Sequence, residues 1–284
     1  NSNNNNNNNN NSTNNNNNNK NNQHIPNSPN DILEKIQSEI LDIDTKIKFD
    51  DVYGLNKVKQ ALKEIIIIPS LRPDLFTGLR TPAKGLLLFG PPGTGKTLIA
   101  KAVATECKST FFNISASSLT SKYVGESEKL VKALFTVAHL PQHQPSIIFI
   151  DEIESILSKR SEGENEASKR LKTEFLIQFD GVGTNSKDRV LVIGATNRPQ
   201  DLDAAVLRRL PKKLFVGPMD FTGRENFIKE IMKKEANNLS KSDLEKIAEK
   251  TENYSNSDLK ELCRQAWTEP IMELKMGQIE KIKH

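Results

Sequence analysis

Short apolar runs alternate with amphipathic stretches along most of this chain. Gly85-Leu86-Leu87-Leu88-Phe89 and residues 110–115, 146–150, 190–195 and 214–216 are brief and apolar, which predicts buried strands. Residues 98–107, 127–138 and 167–179 lie between them and read as helices. Alternation of this kind predicts an α/β unit, a parallel sheet with helices on both faces in three αβα layers. Upstream, Ile32, Leu33, Ile36, Ile40, Leu41 and Ile43 have helical spacing, which predicts a linker helix over residues 31–48. A second helix is expected over residues 56–68, with Pro69 and Pro73 marking its exit. From Thr222 onward the strand pattern stops, and residues 225–234, 242–250 and 257–272 predict three helices. Thr222, Ser240 or Ser242, and Ser257 are their N-cap candidates. The expected organisation is an α/β domain over residues 49–220 followed by a small all-α domain over residues 221–284.

Composition changes this picture at one end. The 284 residues are 36% hydrophobic, and the polar ones are concentrated in the first thirty, a mostly Asn arm with almost nothing to bury. Residues 1–30 are therefore expected to be disordered. A net charge of +4 with 27% charged residues describes a solvated surface and gives no argument for nucleic acid. Cys107 and Cys263 lie far apart in helical patterns, as reduced thiols of a cytosolic or nuclear protein do, and the four histidines have no zinc spacing. The longest apolar cluster, residues 65–68, is too short to span a bilayer, so the chain reads as soluble.

The chemistry is concentrated after the first predicted strand. Gly90-Pro91-Pro92-Gly93-Thr94-Gly95-Lys96-Thr97 matches GxxxxGK[S/T] at every defined position and sits between a strand and a helix beginning near Leu98. The glycines let backbone amides turn on phosphate oxygens, Lys96 reaches the outer phosphates, and Thr97 ligates Mg²⁺. The bland alternative is a glycine-rich turn that holds a lysine; the flanking strand and helix weigh against it. The strand ending Ile147-Ile148-Phe149-Ile150-Asp151-Glu152 delivers two carboxylates to the same sheet edge. Asp151 is placed to hold Mg²⁺ and Glu152 to orient and deprotonate an attacking water, although such a pair also occurs at helix N-caps. Asn197, after the strand ending at Ala195, carries an amide to that edge and could position the water. Asn before Arg-Pro is equally a turn former.

Taken with residues 69–80, 118–126, 170–176 and 194–200, these motifs make the chain resemble AAA+ ATPases of the AAA family. Within it, the chain is most similar to the microtubule-severing subgroup that includes spastin, fidgetin and katanin. The resemblance runs from about Phe49 to Glu273 and implies a P-loop NTPase domain with a helical lid, working with ATP and Mg²⁺ as an ATP-promoted homohexamer. It implies that Asn197 is sensor 1 and that Arg208 and Arg209 are arginine fingers reaching a neighbouring subunit. Val52, Tyr53 and Gly54 then line the adenine pocket, Leu98 follows the phosphate loop, and Lys122, Tyr123 and Val124 form a pore loop. The chain departs from the pattern at Tyr53, at Asn165, at Pro211, at Asn253 and Asn256 where the lid motif has glycines, and at His284, beyond which relatives continue into a final helix. The implied function is severing of microtubules by drawing acidic tubulin tails through the pore, in the cytoplasm at the cytoskeleton, with the nucleus as an alternative. Two alternatives are disassembly of ESCRT-type filaments and a nucleotide-binding structural subunit with low turnover.

Overall fold

The computed structural model describes residues 36, 41–42, 46–119, 126–159, 166–182, 189–233 and 237–273. Its strands are β1 (Leu41–Asp42), β2 (Gly85–Phe89), β3 (Thr110–Ile114), β4 (Ser146–Ile150), β5 (Val190–Thr196) and β6 (Lys212–Phe215). They form one six-stranded sheet in the order β1-β3-β4-β5-β2-β6. β2 to β6 run parallel, and β1 pairs antiparallel with β3. The parallel sheet foreseen from the apolar runs is present, and its register explains the burial. Ile148 lies opposite Val192 and Leu86 opposite Ile193, so successive residues face opposite sides.

Each side has its own core. Leu87, Phe112, Ile148 and Val192 pack with Leu130 and Leu134 of α3 (Glu126–Ala138) and with Leu171 and Phe175 of α4 (Glu166–Gly181). On the other side Leu86, Leu88, Phe149 and Ile193 pack with Leu62 of α1 (Asn56–Leu62) and with Ile99 and Val103 of α2 (Lys96–Glu106). Each such side chain contributes about 1.5–3 kcal/mol by leaving water.

The helix expected over residues 31–48 is not what the structure shows at Leu41–Asp42, which form β1. The edge of β3 would otherwise present unpaired amides and carbonyls, and pairing two extended residues there satisfies them. The helix after Asn56 also runs past Pro69 to Leu71. A π turn at Lys63–Ile67 widens the helix just before the proline, whose missing N–H breaks the usual ladder.

Three further helices, α6 (Phe221–Met232), α7 (Lys241–Lys250) and α8 (Asn256–Met272), follow a short helix α5 (Ala204–Arg209) and β6. They enclose a small core of Met219, Ile228, Leu244, Leu259 and Cys263. Buried Arg224 crosses it, donating to Ala248 O at 3.0 and 2.8 Å and to Met219 O at 2.8 Å. Two N-cap expectations are corrected. Asp220, not Thr222, caps α6, and Ser255, not Ser257, caps α8, where its hydroxyl and the Asp258 carboxylate close a capping box. Ser240 caps α7 in the same way.

Candidate functional site

The phosphate-type loop leaves β2 at Gly90 and enters α2 at Lys96. Gly93 and Gly95 take φ of 72° and 93°, a region open to glycine at little steric cost, and Gly95 is the N-cap of α2. The first amides of α2 are thus left for an anion rather than for carbonyls of a preceding turn. Thr94 Oγ1 donates at 2.9 Å to both Pro91 O and Val216 O, which ties the loop to the residue after β6. Pro91 and Pro92 are exposed on the outside of the loop. Lys96 is only 7% exposed, and its Nζ donates to Gly90 O at 3.0 Å and Pro91 O at 2.7 Å, both carbonyls of its own loop. Burial lowers its pKa, while Asp151 and Glu154 nearby favour the charged form.

β4, β5 and β2 are consecutive in the sheet, so their carboxyl ends meet at one edge. Thr97 Oγ1 donates to Asp151 Oδ2 at 2.8 Å, joining the start of α2 to the end of β4. Asp151 Oδ1 accepts the Glu152 amide at 3.0 Å. Glu152 has φ of 49°, a left-handed backbone that a non-glycine residue holds at a cost of about 1–3 kcal/mol, and its side chain is exposed. The Ile153 amide bonds Ala195 O at 3.0 Å and locks this turn to β5. Asn197 follows β5 and is exposed. With Glu152, Glu154, Ser155, Ser158, Lys159, Arg198 and Asp201 it lines a cavity of about 560 Å³. The sheet edge thus places the Thr97–Asp151 pair beside the turn that carries Glu152, while Glu152 and Asn197 share one cavity. Among the described residues no three His, Cys, Asp or Glu side chains converge on a metal position. A divalent cation here would take the Thr97 hydroxyl and Asp151 carboxylate, hard oxygen donors suited to Mg²⁺, with phosphate and water completing its shell.

Other expected residues sit differently. Val52 is buried in the core on the α2 side of the sheet, and the partly buried Leu98 packs against the same core. The Tyr53 ring meets Phe227 of α6 edge-on at 5.6 Å, and burial raises its phenol pKa. Gly54 has φ of 64°, and a Cβ there would lie 2.9 Å from Met219 Cγ. At the end of α5, Arg208 is exposed, and its side chain makes no hydrogen bond or ion pair among the described residues. Arg209 is instead bound to Asp180 through Nε at 2.6 Å and Nη2 at 2.5 Å. Lys122, Tyr123 and Val124, and the segment 160–165 with Asn165, lie outside the described residues.

The structure adds a contact that motif reading did not supply. The start of α8 touches the phosphate-type loop: the Ser257 amide donates to Gly93 O at 3.2 Å, and a Cβ on Gly93 would fall 2.8 Å from Ser255 Oγ. Asn253 holds φ of 66°, a left-handed conformation that asparagine tolerates. The signal that could have located this contact is the Ser255-x-x-Asp258 capping box, which fixes where α8 begins.

Residues 86–218 match the family model described as ATPase family associated with various cellular activities (AAA), and residues 241–282 match the AAA+ lid domain. A crystal structure of the FIGL-1 AAA domain in complex with ADP is 49% identical, with TM-score 0.81, covering 90% of this chain and 84% of that one. The chain belongs to the AAA family of ATPases. Among curated AAA relatives, spastin from Dictyostelium discoideum is 59% identical over 242 residues, 85% of this chain and 37% of that protein. A katanin structure on the basis of its self-assembly is 39% identical, with TM-score 0.73, covering 87% of this chain and 79% of that one. The chain spans between 30% and 44% of the length of the curated spastins it matches. Nucleotide binding comes with membership of the AAA family, and the loop from Gly90 to Thr97 lies within the matched span.

Proposed function

We propose that the chain hydrolyses ATP within a ring of six copies and severs microtubules by drawing acidic tubulin tails through the pore. The observation that carries the catalytic part is the Thr97–Asp151 bond beside exposed Glu152 and Asn197 on adjacent strand ends. In this reading the loop amides and Lys96 bind the β- and γ-phosphates, exchanging the present Lys96 bonds to Gly90 O and Pro91 O for phosphate oxygens. Thr97 and Asp151 hold Mg²⁺, which supplies charge neutralisation on the phosphates. Asn197 orients a water. Glu152 takes its proton as the water oxygen bonds to the γ-phosphorus and the bridging bond to the β-phosphate breaks. Arg208 and Arg209 of a neighbouring copy stabilise the charge on the phosphoryl group. The Tyr53–Gly54 segment borders the base. Leu98, beside Thr97, belongs to the cradle through its backbone amide.

The substrate reading rests on resemblance to the severing subgroup. Lys122, Tyr123 and Val124 match its pore loop, where an aromatic grips extended peptide without sequence preference and a lysine favours acidic segments. The site of action is then the cytoplasmic microtubule. Glu152→Gln is expected to lower ATPase turnover on the order of 10²–10⁴-fold while ADP binding persists, and to abolish severing of fluorescent stabilised microtubules. An unchanged turnover would remove Glu152 from its role. Microtubules left intact by an active ATPase that disassembles ESCRT-type filaments would overturn the substrate.

A further inference from the structure

Ser255, Asn256 and Ser257 at the start of α8 all approach the phosphate-type loop, and each meets it differently. Ser255 accepts the Asp258 amide and so caps its own helix, while Ser257 gives its amide and its hydroxyl to Gly93 O at 3.2 and 3.5 Å. Asn256 lies between them with its amide turned to Gly95, where a Cβ would fall 3.4 Å from Nδ2. Neither end of that amide has a hydrogen-bond partner among the described residues. Oδ1 is buried without one, and Nδ2 is a free donor on the loop side. The arrangement does nothing for the fold, since the capping box of α8 is complete without Asn256 and a buried oxygen left unpaired is a cost. Gly95 is the N-cap of α2, whose first amides are donors suited to an anion, so Nδ2 stands as one more N–H beside them. A glycine at this position, as the lid motif of the resembled family has, offers no such donor.

We propose that Asn256 is a nucleotide-binding residue, its Nδ2–H donating to a phosphate oxygen of a bound nucleoside diphosphate or triphosphate on the side of the loop that α8 covers. The proposal rests on the reading of Gly90 to Thr97 as a phosphate cradle and adds to it a side-chain donor from the helical unit. A hydrogen bond to an ionised phosphate is stronger than one between neutral groups, and the positive end of α8 favours the same charge. The contact depends on the donor and not on the shape of the side chain. A carboxylate of the same size in its place would face the phosphates with like charge.

Titration of the whole chain with ADP, alongside melting curves recorded without nucleotide, tests this. Asn256→Ala and Asn256→Gly should each weaken ADP binding about tenfold, the worth of one hydrogen bond to a charged group. Asn256→Asp keeps the shape but replaces the donor with an anion, and should weaken ADP on the order of a hundredfold or more. In nucleotide-free protein the same change puts a negative charge in the first turn of α8, which favours the helix, so the melting temperature should hold or rise. A merely structural role would move affinity and stability together. ADP affinity within about twofold of wild type in both Asn256→Ala and Asn256→Gly would overturn the proposal, as would Asn256→Asp binding ADP no more weakly than Asn256→Ala. Failure of the wild-type chain to bind ADP is a separate result: it would remove the phosphate-cradle reading itself, and the proposal with it.

Discussion

The sheet and the three-helix unit after it are held together by different means. On the sheet, two large apolar cores fill both faces, and the few buried polar strand residues, such as Ser146 and Thr196, bond to nearby backbone. In the helical unit, five buried residues form the core, and the Arg224 guanidinium bridges Met219 O and Ala248 O through the middle. The first construction depends on area, the second on geometry. A core built on area tolerates no relative motion of its layers, whereas a small core pinned at one point can pivot and remain folded. The candidate site residues Asp151, Glu152 and Asn197 lie at the strand ends, and among the described residues the start of α8 reaches the phosphate-type loop at Gly93 O, which accepts from the Ser257 amide at 3.2 Å and from its hydroxyl at 3.5 Å.

Differential calorimetry can break this contrast. Ile148→Ala, at a fully buried position, should cost about 2–5 kcal/mol in the main transition. Arg224→Met should cost about 1–3 kcal/mol by removing the guanidinium donors from Ala248 O and Met219 O, with the loss confined to the helical unit. One cooperative transition shifted equally by both would show that the two regions are energetically one. Gly93→Ala sharpens the contrast at the junction. Its φ of 72° and the 2.8 Å approach of Ser255 Oγ make the substitution strained, so ADP affinity should fall about tenfold with only a small change in melting temperature. The smallest effect is kinetic. Burial pushes the Cys107 thiol up to about 11 and raises that of Cys263 as well, so neither is a ready thiolate at neutral pH. If the helical unit opens more often, iodoacetamide will label Cys263 several times faster than Cys107 in native protein. Equal rates would count against the pivot.

Much of the sheet was legible because short apolar runs report burial directly, and the loop from Gly90 to Thr97 because glycine, lysine and hydroxyl positions are dictated by phosphate chemistry. Asp151 and Asn197 followed, since a strand's end fixes where its next residue points. Residues 41–42 were misread because helical spacing over a longer stretch does not register an unpaired edge waiting on β3. Ser255 and Asp220 were passed over for hydroxyls nearer the apolar repeat; each true cap lies two residues earlier, where Asp220 accepts the Gly223 amide and Ser255 closes a box with Asp258. Arg224 and the Asp180–Arg209 clamp had no signature, because long-range polar partners follow from the packed backbone and not from spacing.

The far rim of the sheet has a consequence of another kind. β6 is an edge strand, entered through Pro211 and two exposed lysines, Lys212 and Lys213. A proline at the threshold offers no donor, and adjacent cationic side chains repel a like strand laid alongside. At high local concentration the open rim is therefore a poor template for fibril-like stacking, and encounters between copies are directed to side-chain surfaces, which can be released again.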